Sequence, residues 1–159
     1  STAIHTRTKT GGAVIWGGVR DVEQMIRIEG FQAYYRGIDP TPLRDYIMKG
    51  FNTATRIGNA IVLPGDIVFG AGGGVLFIPA HLCAEVVDGA AKSHVKDIFG
   101  FEMICQGIFT TAQIDKAVWT ADMLDRLVNF IKNDDRGIPF RELDWTPEYS
   151  AAPSDESAL

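Results

Sequence analysis

Arg20 and Asp21 stand side by side just after a glycine pair, Gly17-Gly18, at the end of a short apolar run. A guanidinium is a planar fork that pairs with a carboxylate, and an aspartate offers hard oxygen to a divalent cation such as Mg²⁺. Glycines at 17 and 18 let a ligand approach the backbone closely. Together these residues suit an oxo acid, and the crevice beyond the carboxyl end of a strand is where α/β proteins bind ligands. The plainer reading of the same dipeptide is that Asp21 caps a helix and Arg20 pairs with a surface acid.

Other reactive residue types carry weaker patterns. Cys83 and Cys105 lie far apart in apolar stretches without CxxC spacing, and read as buried thiols in a reducing compartment. His81 and His94 show no two-histidine helical pair and read as helix-end or surface residues; His5 is the one histidine near the predicted crevice. Ser1 resembles a processed amino-terminal nucleophile in type, but it sits on a helical pattern rather than at a strand end. Gly70 to Gly74 has no Lys-Ser/Thr after it and leads into a strand, so it reads as a hairpin rather than a phosphate loop.

The elements that must position Arg20 and Asp21 follow from periodicity and punctuation. Residues 1–11 read as the last turns of a helix ending at Gly11-Gly12. Ala13-Val14-Ile15-Trp16, bounded by glycines, predicts a strand buried on both faces. Asp21 to Glu29 predicts a short amphipathic helix stopped by Gly30, and Phe31 to Tyr35 a second strand, giving a β-α-β order. Runs at 52–57, 60–63, 67–69 and 75–78, separated by Gly- and Pro-containing turns, predict antiparallel sheet.

Beyond Pro79, apolar residues at Cys83, Val86, Val87, Ala90, Ala91, Val95 and Ile98 predict a long helix covering that sheet. A further helix capped by Thr111 is expected to run to Ile131. The stripe Trp119, Met123, Leu127 and Phe130 reads as core or subunit contact. Pro139 to Trp145 reads as an ordered arm.

The expected organisation is an α/β domain over residues 1–99, a helical extension and arm over 100–149, and a disordered tail over 150–159. The chain has 159 residues, enough for one core, and its net charge of −5 argues against a nucleic-acid partner. No segment has the uninterrupted apolar length of a bilayer span and no signal-peptide pattern is present, so a cytoplasmic location without membrane association is expected.

Gly12 to Val22, with its Gly-Gly-Val-Arg-Asp core, resembles the strand-Gly-x-x-Arg-Asp signature of the RraA-like family, which includes hydroxymethylglutarate-type aldolases. Gly58 to Val62, then Pro64-Gly65-Asp66-Ile67-Val68 and Gly74 to Pro79, is similar to that family's Pro-Gly-Asp and Gly-Val-x-x-x-Pro segments. The likeness runs from about Ser1 to Val87. Gly70-Ala71-Gly72-Gly73-Gly74 departs from it, standing where the family carries an acidic Asp-x-Asp-Gly turn.

The resemblance implies a layered-sheet α/β fold of the swivelling β/β/α type with a C-terminal helical extension. It implies that Arg20 holds the carboxylate of an oxo acid, that Asp21 ligates Mg²⁺ or Mn²⁺, and that Gly17 and Gly18 line the substrate. The cation would polarise the 2-oxo group, so that cleavage of the neighbouring carbon-carbon bond or loss of carbon dioxide leaves a stabilised enolate and releases pyruvate. It also implies a trimer or hexamer, and a non-catalytic protein-binding regulator as the alternative function. Only the family's C-terminal part is recognised, so an upstream companion polypeptide or N-terminal half is expected.

Overall fold

The computed structural model describes residue 6, residues 11–42 and residues 44–153. Ser1 and His5 lie outside the described residues, as do all but residues 6 and 11 of the helix expected over 1–11 and residues 154–159 of the expected tail. The chain divides into two compact units, Ser1–Cys83 and Ala84–Leu159.

The first unit is mixed α/β. Its strands are β1 (Gly12–Val19), β2 (Gln32–Ile38), β3 (Thr55–Ile57), β4 (Ala60–Val62), β5 (Ile67–Ala71) and β6 (Gly74–Ile78), with a one-turn helix α1 (Val22–Met25) between β1 and β2. β1 and β2 pair in parallel, β3 with β4 and β5 with β6 in antiparallel hairpins, each pair a separate two-stranded sheet. The β-α-β order and the antiparallel stretch are therefore both present. The Gly58-Asn59 turn works because Gly58 takes φ 60, a left-handed conformation that a Cβ penalises.

β1 departs from expectation in two ways. It does not stop at Gly17 but continues to Val19, and Trp16 is 53% exposed rather than buried. Both follow from a register irregularity. Ile15 pairs with Tyr35 and Gly18 with Gly37, so Trp16 and Gly17 stand opposite Arg36 alone. That extra residue is a β-bulge, which keeps the pairing going while turning a side chain outward.

The second unit is helical: α2 (Cys83–Cys105), α3 (Thr111–Ile114), α4 (Ala121–Asn133), a 3₁₀ segment (Asp135–Phe140) and α5 (Thr146–Ala151). Its core joins Val95, Phe99 and Met103 of α2 to Trp119, to Met123, Leu124, Leu127 and Ile131 of α4, and to Trp145. The 119/123/127 stripe is thus interior packing.

α2 runs unbroken through Gly100, and its Val95, Phe99 and Met103 belong to the helical core, while Val87 on its early turns is 61% exposed. Two expectations change here. The helix expected from Thr111 to Ile131 is two helices. Thr110, not Thr111, caps α3 in a capping box with Gln113, and Thr120 caps α4 through the Met123 N–H. The tail does not start at Ser150, which lies within α5.

The arm after α4 is ordered by its own bonds. Arg141 donates to the carbonyls of Ile131 and Lys132, satisfying groups that the end of α4 leaves open. Lys92 on α2 pairs with Glu148 on α5 at 3.1 Å and with Asp88 at 3.3 Å. Cys83 is half-buried and Cys105 exposed, and both are free thiols, which corrects the expectation of two buried ones. Among the described residues no helix is long and apolar enough to cross a membrane.

Phe99 is almost fully enclosed, so Phe99→Ala should lower the unfolding free energy by about 3–5 kcal/mol, whereas Val87→Ala should change it by less than about 1 kcal/mol. Urea unfolding followed by helical circular dichroism measures both. A pH effect is expected at Tyr149, whose hydroxyl donates to Asp125 Oδ1 at 2.7 Å. Burial, with that bond and the Asp125 charge adding, pushes its phenol up to about 12. The folded form then holds the proton more tightly than the unfolded chain, whose tyrosine ionises near 10. The stabilisation is complete below pH 10 and disappears as pH rises from about 10 to 12. Tyr149→Phe should flatten the fall in melting temperature over that interval.

Candidate functional site at the carboxyl end of the parallel pair

A parallel pair puts the carboxyl ends of both strands at one edge, and this edge holds Gly17, Gly18, Arg20 and Asp21 from β1 and Asp39 from the residue after β2. The backbone fixes the arrangement: the Asp39 N–H donates to the Val19 carbonyl at 2.9 Å, extending the pairing past Val19 and Ile38.

Gly18 is the position where a side chain cannot fit. A Cβ there would lie 2.7 Å from the Cβ of Asp39, well inside van der Waals contact. Gly17 has no such neighbour, the nearest atom being Ile15 Cγ2 at 4.0 Å, so the space beside it is open.

Asp21 adopts φ 59 and ψ 36, the left-handed region, which aspartate and asparagine tolerate better than most residues. This turn reverses the chain at the strand exit. The Asp21 carbonyl accepts from the N–H groups of Gln24 and Met25, both at 3.0 Å, and so starts α1. The Asp21 side chain makes no capping bond, leaving its carboxylate outside the helix that it precedes.

That carboxylate faces its neighbour instead. Arg20 Nε lies 3.3 Å from Asp21 Oδ2, and both side chains are 58% exposed. An ion pair this open to water is weak, of order 0–1 kcal/mol, so a ligand can compete for either partner. The two side chains stand on an exposed edge rather than in the enclosed crevice that was expected.

Asp39 was not singled out by spacing, because Ile38-Asp39-Pro40 reads simply as the start of a loop; the signal that exposes it is the parallel register. Its carboxylate accepts the Thr41 N–H at 2.9 Å. Bonds from the Thr41 side chain and backbone hold its carboxyl below the ordinary carboxylate value.

Two cavities flank β1 farther back from this edge. One, of about 350 Å³, involves Trp16, Tyr34, Tyr35, Arg36, Asn59 and Phe77. The other, of about 670 Å³, involves Gly12, Gly30, Gln32, Tyr34 and Asp66. Arg20 and Asp21 line neither. His81 is exposed in the 3₁₀ turn before α2, and His94 meets the Phe140 ring edge-on at 5.8 Å in the second unit. Neither belongs to the strand-end site.

Among the described residues no group of three or more His, Cys, Asp or Glu side chains converges on one point. Of the two carboxylates at the strand end, that of Asp39 accepts the Thr41 N–H and that of Asp21 faces Arg20. Mg²⁺ commonly binds through one or two carboxylates, keeps several waters and takes further oxygens from substrate, so Asp21 fits that mode as one ligand.

No curated protein and no solved structure matches the chain. The expectation that only the family's C-terminal part is represented does not correspond to the family match, which begins at the first residue of this chain. Residues 1–77, the segment that carries Gly17, Gly18, Arg20, Asp21 and Asp39, match the model of the RraA-like family, described as Aldolase/RraA.

Proposed function

We propose that the strand-end site is that of a divalent-metal-dependent carbon-carbon lyase acting on a 2-oxo or 4-hydroxy-2-oxo acid and releasing pyruvate. The observation that supports this most directly is the adjacency of Arg20 and Asp21, exposed at the carboxyl edge of a parallel pair within the segment that resembles the aldolase family. In this reading Arg20 turns from Asp21 to the substrate carboxylate, to which a guanidinium gives two parallel N–H bonds. Asp21 then holds Mg²⁺ or Mn²⁺, whose contribution when bound is Lewis acidity at the 2-oxo group.

The open space beside Gly17 lets a small oxo acid lie close to β1, while Asp39 packs against Gly18 at the end of β2. The left-handed turn at Asp21 holds its carboxylate at the edge rather than on the α1 cap, which keeps it available.

A non-catalytic, protein-binding regulator is the second reading. It is favoured by the segment between β2 and β3, where Tyr46, Ile47, Met48 and Phe51 are between 76% and 86% exposed. Apolar side chains held out in this way are an interaction surface more often than a neutral one. The same segment supports assembly into a trimer or hexamer. So does the β1–β2 pair, since a two-stranded sheet is marginal alone and parallel strands are normally covered on both faces. An upstream companion polypeptide would supply such cover equally well.

Two measurements test these readings. Pyruvate release from a panel of 4-hydroxy-2-oxo acids should require Mg²⁺ or Mn²⁺, stop on chelation, and fall by about 100-fold or more in Asp21→Asn, a substitution that keeps side-chain shape and tolerance of the left-handed turn. Equal turnover in that variant would remove Asp21 as the metal ligand. No turnover by the unaltered protein, with stoichiometric retention of a partner protein, would favour the regulator. Light scattering on the purified protein should give a mass of three or six chains; a single-chain mass would overturn the assembly, and a second polypeptide in the particle would identify the companion.

A further inference from the structure

We propose that the cleft beside Trp16 and Arg36 binds a small planar anion, a carboxylate carried on an aromatic or conjugated ring. The proposal starts from the bulge. Because Trp16 and Gly17 stand opposite Arg36 alone, the indole of Trp16 is turned out of the regular alternation of β1. Bulges are uncommon between parallel strands and are over-represented at sheet edges and next to active sites, where they re-aim a side chain or end the pairing.

The Arg36 guanidinium lies over the Trp16 indole, with Cζ 4.5 Å from the ring centroid. The turn between β3 and β4 reaches the other end of the same ring: a Cβ on Gly58 would lie 3.2 Å from Trp16 Cη2. With Tyr34, Tyr35, Asn59 and Phe77 these groups enclose about 350 Å³, within the size range of small-molecule sites.

The chemistry of the lining selects the ligand. Among the described residues Arg36 forms no ion pair. A guanidinium stacked on an indole keeps its N–H groups around its rim, so it can take a carboxylate in its own plane while the π-faces remain for a ring. An inorganic anion would leave the aromatic walls unused, and a neutral ring would leave the cation unanswered. A planar ring bearing a carboxylate satisfies both. Arg20 and Asp21 line no part of this cleft, so the proposal stands or falls separately from the lyase reading.

The test uses the full chain labelled with ¹⁵N at its three tryptophans, whose indole N–H signals are resolved by NMR. Trp16→Phe assigns the Trp16 signal, and the buried Trp119 and Trp145 serve as internal controls. Titration with 2-naphthoate should shift the Trp16 signal saturably, with Kd below about 1 mM, and leave the other two in place. Neutral 2-naphthamide should bind at least about 10-fold more weakly, as should 2-naphthoate to Arg36→Gln. Absence of a saturable shift up to about 10 mM would overturn the proposal. So would equal binding of the acid and the amide by the unaltered protein, a comparison that depends on no variant. Wild-type affinity for 2-naphthoate in Arg36→Gln would overturn it as well.

Discussion

The parallel pairing of β1 with β2 is the constraint on which the first unit's chemistry rests. Parallel strands share a carboxyl edge, so residues nearly twenty positions apart in the chain, Arg20-Asp21 and Asp39, emerge at one place. Two contacts fix that edge: the Asp39 N–H to the Val19 carbonyl at 2.9 Å, and the packing of Asp39 against the bare Cα of Gly18. If either strand slipped by one residue, every side chain on it would change face and the edge would lose its composition. The bulge between Ile15 and Gly18 works within the same constraint. It absorbs one residue without breaking the pairing, and it sets Trp16 against Arg36.

The second unit is built on a different principle. Its buried side chains come from α2, α4, Trp119 just before α4 and Trp145 in the arm, around a centre of Phe99, Leu124 and Leu127. Polar groups finish the helix ends: Thr110 with Gln113, Thr120, and the Arg141 guanidinium on the last carbonyls of α4. This core is hydrophobic and locally connected. In the first unit, by contrast, Met25 is the one buried large apolar residue among those described, and Trp16, Ile38 and the Tyr46–Phe51 segment are exposed. Apolar surface left open in this way sets the first unit apart from the second.

Asp21 shows how a dipeptide with two plain explanations acquires a third. A helix cap and a surface ion pair both account for an aspartate beside an arginine at the start of a helix. The backbone turn at Asp21 sets its carboxylate off the cap, and the pair it makes with Arg20 is too exposed to be a strong stabilising contact. A carboxylate and a guanidinium held at a strand end by backbone geometry, with little holding them to each other, are free to act on something else.

Much of this was legible in the residues themselves. Glycine and proline punctuation, with period-two and helical spacing, marked β1, β2, the two hairpins, α2 and the α4 stripe, because those signals report local backbone preference and which face is apolar. The Gly-Gly-Val-Arg-Asp stretch likewise carried the resemblance to the RraA-like family, whose model matches residues 1–77. Local signals misplaced what depends on partners distant in sequence. The helix expected from Thr111 to Ile131 was broken by a second cap at Thr120, and the later turns of the long helix contribute Val95, Phe99 and Met103 to the helical core. Trp16 turned outward through a bulge that only strand register reveals, and Asp39 entered the site because a parallel neighbour carried it there. Sequence by itself determined which segments form strands and helices and which side chains have chemical capacity. Tertiary structure alone decided which of them share an edge, since pairing and packing join residues that no local preference connects.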